Sequence, residues 1–259
     1  MHWLSSLVFI TVTVTAFLLF LAKVREIRRN ILLGKEEDFS DHRSQRWKNV
    51  FLLALGQKKM FRYPGVAVLH LLIYVGFIVI NIEILEIICD GLLHKHRVFR
   101  PYLGSAYPVL INTFELLAVL VILACILFLI RRNFLGLKRF SHAELDGWPR
   151  SDAHLILLIE ILLMTLFLSM NASDRLLQIR NHPGYTHTGD FLISGPMAGL
   201  FMNFSTPALV GIERTCWWLH IMGIYAFLNY LPWSKHLHIL LAFPNAYYAR
   251  LSPAGHINN

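Results

Sequence analysis

His220 and His238 stand 18 residues apart near the C-terminal end of the chain. An α-helix of that length makes five turns, which brings both imidazoles back to one face. Their axial separation would be roughly 27 Å, close to the thickness of a bilayer's hydrocarbon core. The residues between them, down to Pro232, carry no charge. One such helix offers a metal ligand near each membrane surface, which is what two haems stacked across a membrane require. A haem iron of b type takes two neutral imidazoles from facing helices, each oriented by a second hydrogen bond.

Other histidines fall near the same levels. His70 lies about six residues into the apolar stretch that follows Tyr63-Pro64-Gly65. A histidine inside a span is costly and faces the bundle interior, so His70 and His220 are ligand candidates; the plain alternative for each is a buried imidazole bonded to a carbonyl. His154 sits in the first turn of another apolar stretch, where it would reach a haem propionate or a quinol, or simply serve the helix end. Lys59 and Arg62 lie at the same interface as further quinone contacts. His236 points about 160° away from the His220/His238 face at 100° per residue, toward headgroups or solvent. His2, His42, His94, His96, His142, His182, His187 and His256 belong to loops or termini and are expected to be solvated.

These residues need elements to hold them. The chain has 259 residues, 56% of them hydrophobic, with a mean hydropathy of +0.52. That is too apolar for a soluble domain. Five apolar stretches approach the ~20 residues a spanning helix needs. The expected architecture is an all-α integral membrane bundle of five transmembrane helices in one domain, 1–259. The spans fall near 3–23, 65–90, 107–130, 153–171 and 212–232, followed by a tail over 233–259. The first stretch has no basic leader and no small-residue cleavage site, so it reads as an anchor. Trp47 to Leu55 reads as an interfacial helix.

Charge sets the orientation. Lys and Arg number 11 in residues 23–62, 5 in 131–150 and 2 after Leu231, against 6 in the remaining loops. The 18-to-6 split predicts N-terminus out and C-terminus in. Because the net charge of +8 flanks spans, it argues against nucleic-acid binding and for a basic face toward anionic lipid or an acidic partner. Cys89, Cys125 and Cys216 are isolated, with no C-x-x-C, so an iron–sulfur, zinc or covalent c-type haem site within the chain is not supported. There is no Walker motif and no G-x-G-x-x-G.

With this topology His70, early in a span running outward, and His238, late in a span running inward, both lie near the cytoplasmic side and can share one iron. His220 lies toward the outside. Its partner should stand about ten residues beyond His70, where the chain has Ile80. Nearby Asn81, Glu83 and Glu86 are poor ligands for a low-spin b haem.

The run Leu219-His220-Ile-Met-Gly, then Leu231-Pro232-Trp233-Ser234-Lys235, then Leu237-His238-Ile and Pro244, resembles the last span of the nitrate reductase gamma-subunit family. Lys58-Lys59-Met60-Phe61-Arg62 followed by His70 resembles that family's entry to its second span. The same layout occurs in membrane cytochromes related to heterodisulfide reductase. In motif the resemblance covers only residues 57–76 and 217–244. It implies haem b between the second and fifth spans and quinol oxidation at the membrane, with His70 and His238 as the cytoplasm-side pair and His220 as one ligand of the outer haem. The departure at Ile80 leaves one haem expected, and a second only if His220 finds another partner. The stretch from Ala246 to Asn259 resembles the linker by which fused relatives reach a cytoplasmic iron–sulfur module with CCG-type cysteines. Its counterpart here would be a separate subunit.

The expected function is therefore a membrane b-type cytochrome of the bacterial inner membrane, passing electrons between the quinone pool and an iron–sulfur partner. Two other readings fit the composition: a haem-free anchor of a redox complex, and a small transporter using Asn81, Glu83, Glu86 and Glu115 as a polar pathway.

Overall fold

The structure is a computed structural model that describes residues 2–135 and 147–251. Among the described residues there is no strand. In chain order the helices are α1 (His2–Ile31), α2 (Arg43–Asn49), α3 (Pro64–Leu93), α4 (Arg100–Leu103), α5 (Tyr107–Asn133), α6 (Trp148–Ile179), α7 (Ser194–Met197), α8 (Thr206–Tyr230) and α9 (Leu237–Tyr247). A wider helical turn, Val50–Leu55, prolongs α2. Proline opens α3, α5, α6 and α8 within their first two positions, where its missing N–H costs nothing.

Four segments are long and apolar enough to cross a membrane: Leu4–Ile31, Pro64–Leu93, Arg100–Asn133 and Trp148–Ile179. The expected fifth, α8, is not among them. Trp217, Trp218, His220, Tyr225, Asn229 and Tyr230 lower its hydropathy, and it packs along α6 and α1. The helices also outrun their apolar stretches. α1 continues eight residues past Lys23 through Arg25, Glu26, Arg28 and Arg29, because a helix needs no apolar face once it leaves the bilayer.

α5 lies between α3 and α6. Its buried positions Ile111, Phe114, Ala118, Val121 and Cys125 recur at three and four residues, one stripe of a helix. α1 closes on α3 where Gly91 faces Phe9; a Cβ there would meet the ring at 2.4 Å. Outward the bundle exposes Leu4, Leu18, Leu85, Leu116, Leu123 and Leu162, apolar side chains suited to a lipid environment.

The segment after α8 departs from the expected continuous helix. α8 ends at Tyr230, a tight turn spans Leu231–Trp233, Ser234 is extended at φ −106° and ψ 169°, and a new helix starts at Leu237. His220 and His238 thus do not share a helix, and neither the five-turn spacing nor the 160° offset of His236 applies. Pro232 cannot donate to the preceding turn, so the helix stops there.

Candidate functional site

His70, on the second turn of α3, and His238, on the first turn of α9, face each other. Their ring centroids are 6.5 Å apart with planes at 42°. Gln57 Oε1 lies 3.1 Å from His70 Nδ1, and the Lys235 carbonyl oxygen 2.6 Å from His238 Nδ1. Both acceptors fix the ring tautomer: Nδ1–H donates and Nε2 is left with its lone pair. Between and around them lies a cavity of about 360 Å³, walled chiefly by apolar residues such as Leu53, Ile73, Phe77 and Ile239, with Lys59 at its rim.

Gln57 reaches His70 at the expense of its backbone. It sits at φ 48°, the left-handed region that costs a non-glycine residue roughly 1 kcal/mol. A Cβ on Gly56 before it would sit 3.0 Å from Phe51 O and 3.1 Å from Leu52 O, so a side chain there would crowd the backbone. The turn therefore puts a long amide, and not glycine, at the position aimed into the cavity.

His236 also lines this cavity, 5.6 Å from His238 and 5.6 Å from Phe227, ring centre to ring centre. It is not the solvent-facing residue that helical periodicity predicts. Burial, with His238 beside it, pushes its pKa down to about 4. Asp152, from the first turn of α6 and 1% exposed, pins the chain that carries these rings: it accepts from the Lys235 N–H at 2.9 Å and from the Tyr230 hydroxyl. Asp152 carries no motif that singles it out in the sequence. The clue available was Pro232, which frees backbone groups that something must satisfy.

His220 is fully buried in the middle of the bundle. Its Nδ1 donates to the Leu163 carbonyl at 2.9 Å, and its Nε2 points at Glu83 Oε2, 3.6 Å away. Neither of those last two atoms has a hydrogen-bond partner. Ile80 lies in the wall of the adjoining cavity, so no imidazole stands across from His220. His154 stays outside both cavities. Its two nitrogens are engaged by the Arg150 carbonyl and Asn133 Oδ1, and it ties the start of α6 to the end of α5.

The end of the bundle beyond Glu83 is densely polar. Arg97 donates to Asp174 at 2.7 Å and Asn171 at 2.7 Å. Burial disfavours its charge, but Tyr107, Asp174 and Glu86 outweigh this and hold it protonated. Asp90 accepts from the Arg97 and Val98 N–H groups, and Glu86 from the Phe99 N–H and the Tyr107 hydroxyl. His96, expected in solvent, is tucked 3.6 Å from Asp174 and against the Tyr185 ring; burial lowers its pKa despite the carboxylate. His142 and His256 lie outside the described residues.

Among the described residues no three His, Cys, Asp or Glu side chains come together as a metal site. An axial pair on a haem needs only two, since the porphyrin supplies the other four donors. Imidazole nitrogens about 2 Å from one metal, on opposite sides, put the ring centroids about 6–6.5 Å apart. The His70–His238 separation fits that requirement; His220 and its surroundings do not offer it.

The chain is similar to two oxidoreductases. Over 251 residues, 97% of the chain, it is 24% identical to a probable iron-sulfur-binding oxidoreductase, FadF, of Bacillus subtilis, covering 34% of that protein. Over 236 residues, 86% of the chain, it is 23% identical to an EtfAB:quinone oxidoreductase of Syntrophomonas wolfei, covering 30% of it. The chain thus spans about a third of the length of the curated relatives it matches. No protein-family model and no solved structure matches it.

Proposed function

We propose that the chain is the membrane-embedded electron-carrying part of a quinone-linked oxidoreductase, with one haem b held by His70 and His238. The observation that carries this reading is the facing pair of imidazoles, each with Nδ1 hydrogen-bonded and Nε2 free, in an apolar cavity. The names of the two relatives, a probable iron–sulfur-binding oxidoreductase and a quinone oxidoreductase, support electron transfer as the role.

Under this reading Gln57 and the Lys235 carbonyl would hold the rings in one tautomer, and the apolar residues around them would pack against the macrocycle. A haem iron bound there supplies one-electron steps. Lys59, at the cavity rim, is the cation available to a propionate or a quinone oxygen. α8 completes a five-span bundle with N-terminus out and C-terminus in, a reading supported by the 18-to-6 division of Lys and Arg. The iron–sulfur part that exchanges electrons with it, with CCG-type cysteines, would lie on the cytoplasmic side. Its site of docking would be the basic face formed by the 43–62 segment and α9, which pack together through Arg46 on the Tyr247 and Ala249 carbonyls.

A reduced-minus-oxidised visible spectrum of the purified protein tests this directly. The expected result is a b-type signal that His70→Ala and His238→Ala each abolish. A haem-free protein, or full retention of the signal in one variant, overturns it.

A further inference from the structure

Most buried carboxylates in this bundle have full hydrogen-bond complements. Glu86, Asp90, Glu115, Asp152, Asp174 and Glu213 each accept from at least two donors and serve as structural clamps. Glu83 stands apart. It is 2% exposed and deep in the membrane, and its Oε2 has no hydrogen-bond partner. The group it faces, His220 Nε2, is 0% exposed and also lacks one. An unpaired carboxylate in such a place is prohibitively costly; the pair is tolerable when one proton is shared between them.

The surroundings extend this pair in both directions. On one side Glu83 lines a narrow polar crevice with Glu86, Asp90, His96, Glu213 and Arg214. That crevice shares Asp90, His96 and Arg214 with a cavity of about 620 Å³ at the end of the bundle. On the other side His220 lines an apolar cavity of about 100 Å³ whose wall includes Glu160. Glu160 also lines the His70–His238 cavity. Acid–base groups and cavities thus follow one another from one end of the bundle to the redox site.

We propose that Glu83 and His220 share a proton in the membrane interior and, with Glu160, form a relay carrying protons between the polar crevice and the His70–His238 cavity. The step balances as a plain proton transfer. The Glu83 carboxyl gives its proton to His220 Nε2, leaving carboxylate and imidazolium; the imidazolium returns Nε2 to its lone-pair form by releasing that proton toward Glu160. Nε2 both takes up and releases the proton, because Nδ1 is committed to the Leu163 carbonyl, so release toward Glu160 requires the ring to turn Nε2 away from Glu83 and into the cavity that His220 and Glu160 line. Glu83 is then reprotonated from the crevice. The direction toward the redox site rests on the proposed function, where reducing a quinone takes up two protons for two electrons.

Two measurements on the full-length protein test the relay separately from the haem. The first is infrared spectroscopy of the protonated-carboxyl stretch. We expect a band that Glu83→Gln removes and that His220→Gln shifts; a spectrum unchanged by both variants overturns the shared proton, whatever the cofactor content. The second is proton uptake on chemical reduction, followed with a pH-sensitive dye in proteoliposomes. Glu83→Gln and Glu160→Gln should each slow uptake about 100-fold, and Glu83→Gln, which lies outside the His70–His238 cavity, should leave the visible spectrum intact. Unaltered uptake in both overturns the relay. A haem-to-protein ratio of two that His220→Ala lowers to one also overturns it, since His220 would then be an iron ligand. Absence of any haem signal refutes the proposed function but leaves the infrared test standing.

Discussion

Replacing Asp152 by alanine should loosen the turn that presents His238. The carboxylate is buried at the start of α6, accepts the Lys235 N–H and the Tyr230 hydroxyl, and spans the break between α8 and α9. Alanine leaves both donors without an acceptor. Each orphaned buried group costs about 1–3 kcal/mol, and because both donors are part-buried the sum should fall near 2–4 kcal/mol. For a chain of this size that corresponds to a fall in melting temperature of about 5–10 °C. An asparagine side chain keeps one acceptor oxygen and turns an amide toward the tyrosine oxygen, so Asp152→Asn should lie between wild type and Asp152→Ala. The assay is thermal unfolding in nanodiscs, followed by tryptophan fluorescence, for wild type, Asp152→Asn, Asp152→Ala, Tyr230→Phe and the double variant that combines the last two. The cycle should show coupling of about 1 kcal/mol, because the two residues touch. If Asp152→Ala melts within about 2 °C of wild type and its effect simply adds to that of Tyr230→Phe, Asp152 does not hold the break.

Gln57→Leu removes the acceptor on His70 Nδ1 and should weaken haem retention about 10- to 100-fold, with Gln57→Glu restoring it; transfer of haem to a competing apoprotein measures this, and equal rates for the leucine variant and wild type would refute the role. His96 has its pKa lowered by burial, so protonation opposes folding. Its stabilising contribution is full above the ordinary histidine value near 6.5 and is lost as pH falls through its folded value. His96→Gln should therefore flatten the acid side of the stability curve relative to wild type. Melts across about pH 4–7 check the difference, with Asp174, Asp90, Glu86, Glu213, Arg97 and Arg214 facing the site in both proteins. An export-dependent reporter fused after Asn259 should be inactive, and activity there would reverse the orientation and the assignment of the His70 end to the cytoplasm.

What was legible in the sequence followed from terms that depend on composition. Apolar runs gave the four long membrane-crossing helices and also the helix at α8, whose Trp, Tyr and His content keeps its hydropathy below that of the other four. Helix ends were less legible, since the cost of leaving the bilayer ends an apolar run but does not end a helix such as α1. The dense network around Arg97 was not legible at all. It joins residues 74 and 77 positions apart in the chain, and only tertiary packing brings a loop arginine onto Asn171 and Asp174.

The histidines show how two residues can meet for a reason other than the one their spacing suggests. Periodicity carried across Pro232 put His238 on the His220 face and His236 opposite, whereas the break at Ser234 frees the later residues from α8's phase. His238 reaches His70 because Asp152 takes the Lys235 N–H and the new helix starts two residues on. α6 thus anchors the turn whose Lys235 carbonyl holds that ring. His220 remains on α8 and keeps α8's phase, which turns its Nε2 onto Glu83 of α3. One break thus separates two imidazoles that a continuous helix would have made equivalent. The one after it gains an imidazole partner, as an iron axial pair requires, and the one before it gains a carboxyl partner, as proton exchange requires.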